Sequence, residues 1–394
     1  MYPIIIKIVF RLIGIVINII LGVLSYVVPK NERLILLGSH DTFAGNTKAF
    51  YLYCIKNSDK HNLKVYWMTS RKDIYNLLNS RGLPVLYIYT LGAFKSILRA
   101  KYLLFTHGPI DVSYFYFLFG RFNMIQTWHG IALKDVSREA EKKAPLYMKA
   151  INHLSRLTDK KYKLILATSE ETARIFKLAF SNENVKILGY PRNDVFYNPD
   201  LLFEDYKEKL NLYKYTKVIL YCPTYRENRT TQPFSEEFLN KLNTYLIRNN
   251  YIFLIKRHPY DYLFNIFRNY SNIIDVSKEV IDIQDLLVHV DILISDYSSI
   301  IFDFVLLNRP IIFYPYDIDM YIKNCRRLNY DYFEELPGPF AIDENELLDI
   351  LYRIDDVFKD IEYQHKYKLF RYKFNEYDDG KSCERLLNYL INFY

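Results

Sequence analysis

Four short segments carry side chains suited to handling a phosphate ester and a hydroxyl nucleophile. "TWHG" (127–130) offers His129, and "CPTYR" (222–226) offers Thr224 and Arg226. "IKRHP" (255–259) offers Lys256 and His258, and "ISDYSSIIFDF" (294–304) offers Ser298, Ser299 and Asp303. A histidine titrates near neutral pH and can accept a proton from an attacking hydroxyl. Arginine, lysine and protonated histidine can neutralise phosphate charge. Ser298 and Ser299 stand where an apolar run restarts. If a helix begins there, its first N–H groups lack internal partners and lie at the positive end of the helix dipole, so phosphate can be held without a glycine-rich loop. Asp303 then falls about one turn on, on the same face, placed to accept a hydrogen bond from a ribose or glycerol hydroxyl. The competing reading of this stretch is plain helix capping. For His129 it is a backbone hydrogen bond in a buried turn. His107 in "FTHGP" is the second candidate base and His40 in "LLGSHDTF" the third.

The elements that must position these groups alternate. Strand-like runs fall at 33–37, 64–69, 85–88, 101–105, 123–127 and 163–167, with helix-like segments at 45–57, 71–80, 91–99, 140–156 and 170–180. The pattern restarts with strands at 217–221, 251–256, 272–275, 291–295 and 311–314 and helices at 235–248, 283–289, 298–307, 343–358 and 381–392. Short β-rich runs between longer amphipathic ones imply parallel sheets covered by helices. "GYPRNDVFYNPD" (189–200) has the composition of a linker. This divides the chain into an N-terminal segment (1–30), a first Rossmann-like domain (31–195) and a second (196–394). In doubly wound sheets ligands bind at the carboxyl ends of strands. All four segments sit at such ends, so the expected architecture is α/β, with two doubly wound domains facing a cleft.

With 394 residues the chain is long for a single core. Its net charge of +7 suits an anionic membrane surface or phosphorylated substrates. Nucleic-acid binding calls for denser basic blocks than the sequence has. Cys54, Cys222, Cys325 and Cys383 form no CxxC-type pair and read as reduced thiols. No acidic cluster is read as demanding a metal, and Asp194, Asp296 and Asp303 are taken as single carboxylates, which leaves divalent-cation dependence open.

Residues 3–28 are almost wholly apolar, and on a helical wheel Lys7, Arg11, Asn18 and Ser25 fall on one narrow stripe. No small-residue cleavage site follows, which argues against a signal peptide. The favoured reading is a membrane-associated amphipathic helix lying in the interface, with Lys7 and Arg11 reaching lipid phosphates. A spanning helix and a helix packed on the domain are the alternatives.

"TWHGIALKDV" (127–136), "LGYPRND" (188–194), "YCPTYRE" (221–227), "KRHP" (256–259), "ISDYSSIIFDF" (294–304) and "RPIIFYPYDIDMY" (309–321), in that order, resemble the CDP-glycerol glycerophosphotransferase family. That family includes the primases and polymerases of wall teichoic acid synthesis. "DDGKSCERLLNYL" (378–390) is similar to its closing helix. The resemblance implies a GT-B arrangement and transfer of glycerol phosphate from CDP-glycerol to a hydroxyl of a membrane-bound acceptor, with release of CMP. The expected acceptor is a polyprenyl-diphosphate-linked saccharide. His129 would be the base, His258 a second catalytic group, and Arg226, Lys256, Thr224, Ser298, Ser299 and Asp303 would hold the substrate. The size resembles a primase, and the expected location is the cytoplasmic face of the membrane. Alternatives are a ribitol-phosphate transferase, a nucleotide-sugar glycosyltransferase on the same scaffold, and a non-catalytic lipid-phosphate binding protein.

Overall fold

The computed structural model describes residues 20, 22–40, 42–112, 120–133, 157–226, 232–257, 270–324 and 328–392. His258, Lys7, Arg11, Asn18, Cys325 and the expected helix at 140–156 lie outside them. The described residues divide into two compact units. One comprises the chain up to His129, 157–201 and 377–392; the other comprises 130–133, 202–226, 232–257, 270–324 and 328–376.

In the first unit β1 (Asn31–Leu37), β2 (Lys64–Thr69), β3 (Val85–Tyr87), β4 (Ala100–Phe105), β5 (Asn123–Gln126), β6 (Leu164–Ala167) and β7 (Val185–Ile187) form one sheet. Its order is β3-β2-β1-β4-β5-β6-β7, and every pairing is parallel. A parallel sheet covered on both faces needs continuous apolar strands. "LILL" meets that need, with Ile35, Leu36 and Leu37 all at 1% exposure or less. Trp67 anchors this core between the edges of Phe43 and Tyr51, with ring centroids 4.7 and 5.8 Å away, a favoured aromatic geometry.

The second unit repeats the scheme with β8 (Lys217–Cys222), β9 (Tyr251–Ile255), β10 (Ile273–Asp275), β11 (Ile292–Ser295) and β12 (Ile311–Phe313). Its parallel order is β10-β9-β8-β11-β12. Both sheets follow the doubly wound Rossmann order. Strand order reverses between β1 and β4 in one and between β8 and β11 in the other, and such reversals open the ligand crevice at the strand ends. Helices begin where the sequence supplies caps: Ser169 Oγ accepts from Thr172 N, Ser235 Oγ from Phe238 N, and Asp343 from Asn345 N and Glu346 N.

Three expectations need correction. The first part of 189–200 is not an exposed linker: Pro191–Phe196 is a 3-10 turn with Arg192, Asn193, Asp194 and Val195 buried, and the chain passes to the second unit after Leu201. The turn's polar side chains bind the C-terminal segment. Asp194 accepts from the amides of Ser382 and Cys383 at 3.0 and 2.7 Å. Asp378 accepts from Tyr190 N at 2.6 Å and Asn193 Nδ2 at 3.0 Å. The closing helix, Ser382–Asn392, is thereby held in the first unit, whereas the linear reading carried the second domain to 394. Second, the helix expected at 298–307 is α-helical only over Ile300–Phe304, followed by the 3-10 turn Val305–Leu307. Third, Ser25 does not continue an outward polar stripe. It is buried, donating to Gly22 O at 2.6 Å and accepting from Arg121 N at 2.8 Å, while Val23, Tyr26 and Val27 are exposed. Among the described residues no helix is long and apolar enough to cross a membrane.

Candidate active site

The first unit gathers three histidines at its strand ends. His40 follows β1, His107 follows β4 and His129 follows β5. The His107 and His129 rings stack, with centroids 4.6 Å apart and planes 8° from parallel. His40 and His107 lie 5.6 Å apart, tilted by 55°. Sequence reasoning ranked these three as rivals; the fold makes them neighbours.

A hydrogen-bond network fixes His107. Asp111 Oδ2 accepts from Thr106 N at 2.8 Å, Thr106 Oγ1 at 3.0 Å and His107 N at 2.8 Å. Thr106 Oγ1 also lies 2.9 Å from His107 Nδ1. Because Thr106 donates its hydroxyl proton to Asp111, its oxygen is left to accept from His107 Nδ1–H. Gly38 makes this approach possible: a Cβ there would lie 2.1 Å from the Asp111 carbonyl oxygen.

His129 is held through its backbone. The preceding Trp128 adopts φ +56°, a left-handed conformation that is a genuine outlier for a bulky residue. Its indole meets the edges of Phe180 and Phe176 at 5.0 and 5.9 Å. Gln126 Oε1 accepts from Trp128 N at 2.9 Å. Asn46 Nδ2 donates to the carbonyls of Thr127 and Trp128 at 2.9 and 3.0 Å, and Arg192 Nη1 donates to the His129 carbonyl at 2.7 Å. The His129 ring keeps exposed surface within a dense protein surrounding. Desolvation first, then the neighbouring His107 and the Arg192 cation, hold its pKa below the ordinary histidine value, against smaller opposing pulls from a hydrogen bond to the Thr106 backbone and from Asp111. The neutral imidazole, the form able to accept a proton, is therefore favoured.

The second unit shows a different arrangement at its own switch point. Arg226, just beyond β8, is buried and charge-compensated. Its Nη1 donates to Asp296 Oδ2 at 2.6 Å and to Thr224 O at 2.5 Å, and its Nε and Nη2 form a fork on Asp317 at 2.9 and 2.8 Å. Asp296 follows β11 and Asp317 follows β12, so one guanidinium ties three strand ends together. Tyr297, Tyr316 and Tyr321 surround it, each with its ring centroid 5.3–5.4 Å from the guanidinium carbon. Burial works against the charge, but Asp296 and Asp317 outweigh it and hold the arginine firmly protonated. One cation against two carboxylates sums to a formal −1, so Arg226 does not stand there as a free cation for phosphate.

The remaining expected site residues divide. Thr224 N donates to Asp296 Oδ1 at 2.8 Å, and its Oγ1 is buried with no hydrogen-bond partner among the described residues. Ser298 and Ser299 follow Asp296 closely in sequence and are half-buried just ahead of Ile300–Phe304; Ser298 Oγ accepts from Ile300 N at 3.4 Å, and Ser299 makes no capping bond. Lys256 follows β9, half-buried; it donates to Ser277 O at 3.0 Å, and burial lowers its pKa. Asp303 does not face the strand ends as an open acceptor; it is buried and accepts from Gln284 Nε2 at 2.9 Å. Sequence reasoning missed Asp317, Arg192 and Asn46. The first two lay inside quoted motifs, "YPYDIDMY" and "GYPRND", without a role; Asn46 gave no signal. Among the described residues no group of three or more His, Cys, Asp or Glu is arranged to hold a metal ion.

Residues 20–392 match the model of the CDP-glycerol:poly(glycerophosphate) glycerophosphotransferases. The chain is 30% identical over 369 residues to a teichoic acid glycerol-phosphate transferase of Staphylococcus aureus, covering 90% of this chain and 92% of that one. It is 29% identical over 392 residues to a teichoic acid glycerol-phosphate primase of Bacillus subtilis, covering 94% of each. A solved structure of the wall teichoic acid polymerase TagF shares the fold with a TM-score of 0.74 at 24% identity, over 92% of this chain and 90% of that chain. By this match, and by the ordered motifs at its strand ends, the chain belongs to the CDP-glycerol:poly(glycerophosphate) glycerophosphotransferase family.

Proposed function

We propose that this protein transfers glycerol phosphate from CDP-glycerol to a hydroxyl of a membrane-lipid-linked saccharide, releasing CMP, in the synthesis of a teichoic-acid-like or capsular polymer. The observation that carries the reading is His129: an imidazole at a strand end, locked through its backbone, stacked on a second histidine and biased toward the neutral form. In the reaction the acceptor oxygen forms a bond to the glycerol-bearing β-phosphorus. The bond from that phosphorus to the bridging oxygen breaks, and its electron pair leaves with CMP. The hydroxyl proton passes to His129. Such displacements depend mainly on positioning and on compensating phosphate charge.

The two Rossmann-like units are read as a GT-B pair, with the donor at the β8–β11 switch point. Thr224, Ser298, Ser299 and Lys256 are the polar groups assigned to it. His258, when protonated, is assigned to the leaving phosphate. Arg226 serves as the bracket that fixes the strand ends presenting these groups, in place of the direct phosphate contact read from sequence. Asp303 supports this region from beneath. The protein is placed peripherally on the cytoplasmic face of the membrane. The exposed Val23, Tyr26 and Val27 support this, because they offer an apolar face while Ser25 turns inward.

The test is CMP release from CDP-glycerol by purified protein in detergent with a lipid-linked disaccharide acceptor. Acceptor-dependent release that is lost in His129→Ala supports the assignment, and counting units on the product separates one addition from many. Release with CDP-ribitol but not CDP-glycerol would replace the donor, and wild-type turnover in His129→Ala would remove the base.

A further inference from the structure

We propose that Arg192 is a positioning residue for His129, acting with Asn46 as a cradle for the 127–129 turn. The inference rests on the reading of His129 as the base and concerns how the fold makes it one. Three observations converge. Arg192 is buried, and its Nη1 reaches the His129 carbonyl at 2.7 Å. Asn46 takes the next two carbonyls back, donating to Trp128 and Thr127, and its own Oδ1 accepts from Arg192 N at 3.1 Å. The residue between them, Trp128, is in a left-handed conformation at φ +56°. Such strain persists only where its surroundings over-determine it. The cradle supplies that constraint with bonds to three successive carbonyls.

The placement also has an electrostatic consequence. The titratable or charged groups acting on His129 are His107, Arg192 and Asp111. The Arg192 cation opposes a second positive charge on the imidazole, whereas the Asp111 carboxylate favours one. Removing the cation therefore raises the proton affinity of His129, and the base stays protonated to higher pH. The same arginine sits in the turn whose Asp194 accepts from the first amides of the closing helix and whose Asn193 donates to Asp378 just ahead of it. The C-terminal segment thus supports the arginine that positions His129.

The experiment measures kcat, KM for CDP-glycerol and the pH profile of CMP release for the full chain and three variants, with urea unfolding alongside. Arg192→Gln is expected to lower kcat up to about 100-fold, the scale of a misplaced reacting group, with KM for CDP-glycerol little changed and the acidic limb moved to higher pH. Arg192→Lys keeps the charge but not the fork geometry, so its limb stays near wild type while kcat remains low. Asn46→Ala removes the cradle without touching charge: kcat falls and the limb does not move. A wild-type limb in Arg192→Gln, or an effect confined to KM, overturns the proposal. If His129→Ala itself turns over normally, the base assignment fails first, and that result is distinguishable from failure of the cradle alone.

Discussion

The two switch points are built on the same strand order and carry different side-chain chemistry. At the ends of β1, β4 and β5 the first unit presents imidazoles with exposed surface, His107 and His129 stacked and their backbone held by the Asp111 carboxylate and the Arg192 guanidinium. Between β8 and β11 the second unit places a buried guanidinium between two carboxylates, side-chain exposure being 6% for Arg226, 0% for Asp296 and 10% for Asp317. On the proposed reading, one edge serves a group that gains and loses a proton. The other is arranged for groups that must not titrate or move. Topology explains why both sit where a ligand can reach them; the loop residues that follow each strand explain why they differ.

The sharpest way to break this comparison is to remove the titrating group. His129→Ala is expected to cost roughly 10²–10⁴-fold in kcat, while CDP-glycerol binding measured by calorimetry stays near wild type. A loss of binding instead would place His129 in recognition, outside the chemistry. The sign of its pKa shift gives a companion test. Desolvation and the flanking His107 and Arg192 favour the neutral ring. The acidic limb of kcat/KM should therefore lie below the ordinary histidine range, near pH 6.5, and a limb above it would contradict the proposed surroundings.

On the second unit the expected effect is on stability. Arg226→Met leaves Asp296 and Asp317 buried without their cation, a change that costs about 3–5 kcal/mol when one partner of a buried pair is removed. Urea unfolding measures it. A loss under about 1 kcal/mol, the scale of exposed pairs, would mean that the bracket is solvated and the contrast between the two edges is false.

Gly38→Ala tests the first edge by packing. The added methyl meets the Asp111 carbonyl at 2.1 Å, and overpacking of this kind costs about 1–3 kcal/mol. It should also displace His107, so a few-fold fall in kcat is expected with the loss of stability. The smallest effect is expected from His107→Ala, which removes the ring stacked on His129. Turnover should fall modestly and the acidic limb rise, because one source of repulsion on the His129 cation is gone. A loss as large as that of His129→Ala would make His107 the base.

Much of the fold was legible because parallel strands need unbroken apolar runs, and eleven of these stood out between amphipathic segments. β7 escaped because "VKI" is three residues long with a lysine at its centre. The helix Ile361–Asn375 escaped for another reason. Its buried stripe is Tyr363, Tyr367, Phe370 and Phe374, while Ile361, Leu369 and Tyr372 point outward. Aromatic and aliphatic residues on both faces blur the helical period. The supposed linker at 189–200 misled in the same way: Pro, Asn and Asp mark exposed loops as readily as buried polar turns, and only their partners at Asp378, Ser382 and Cys383 tell the two apart.

The sequence by itself determined that two doubly wound sheets form, and that basic, hydroxyl and imidazole groups sit at their strand ends. It could do so because strand periodicity and the residues that end a strand are local properties of the chain. Tertiary structure alone decided that His40, His107 and His129 are neighbours, that Arg226 is consumed by Asp296 and Asp317, and that Arg192 reaches the His129 carbonyl. Those outcomes join residues tens of positions apart. A side chain's charge, freedom and proton affinity depend on which distant partners the folded chain brings within a few ångströms, and no local pattern encodes that distance.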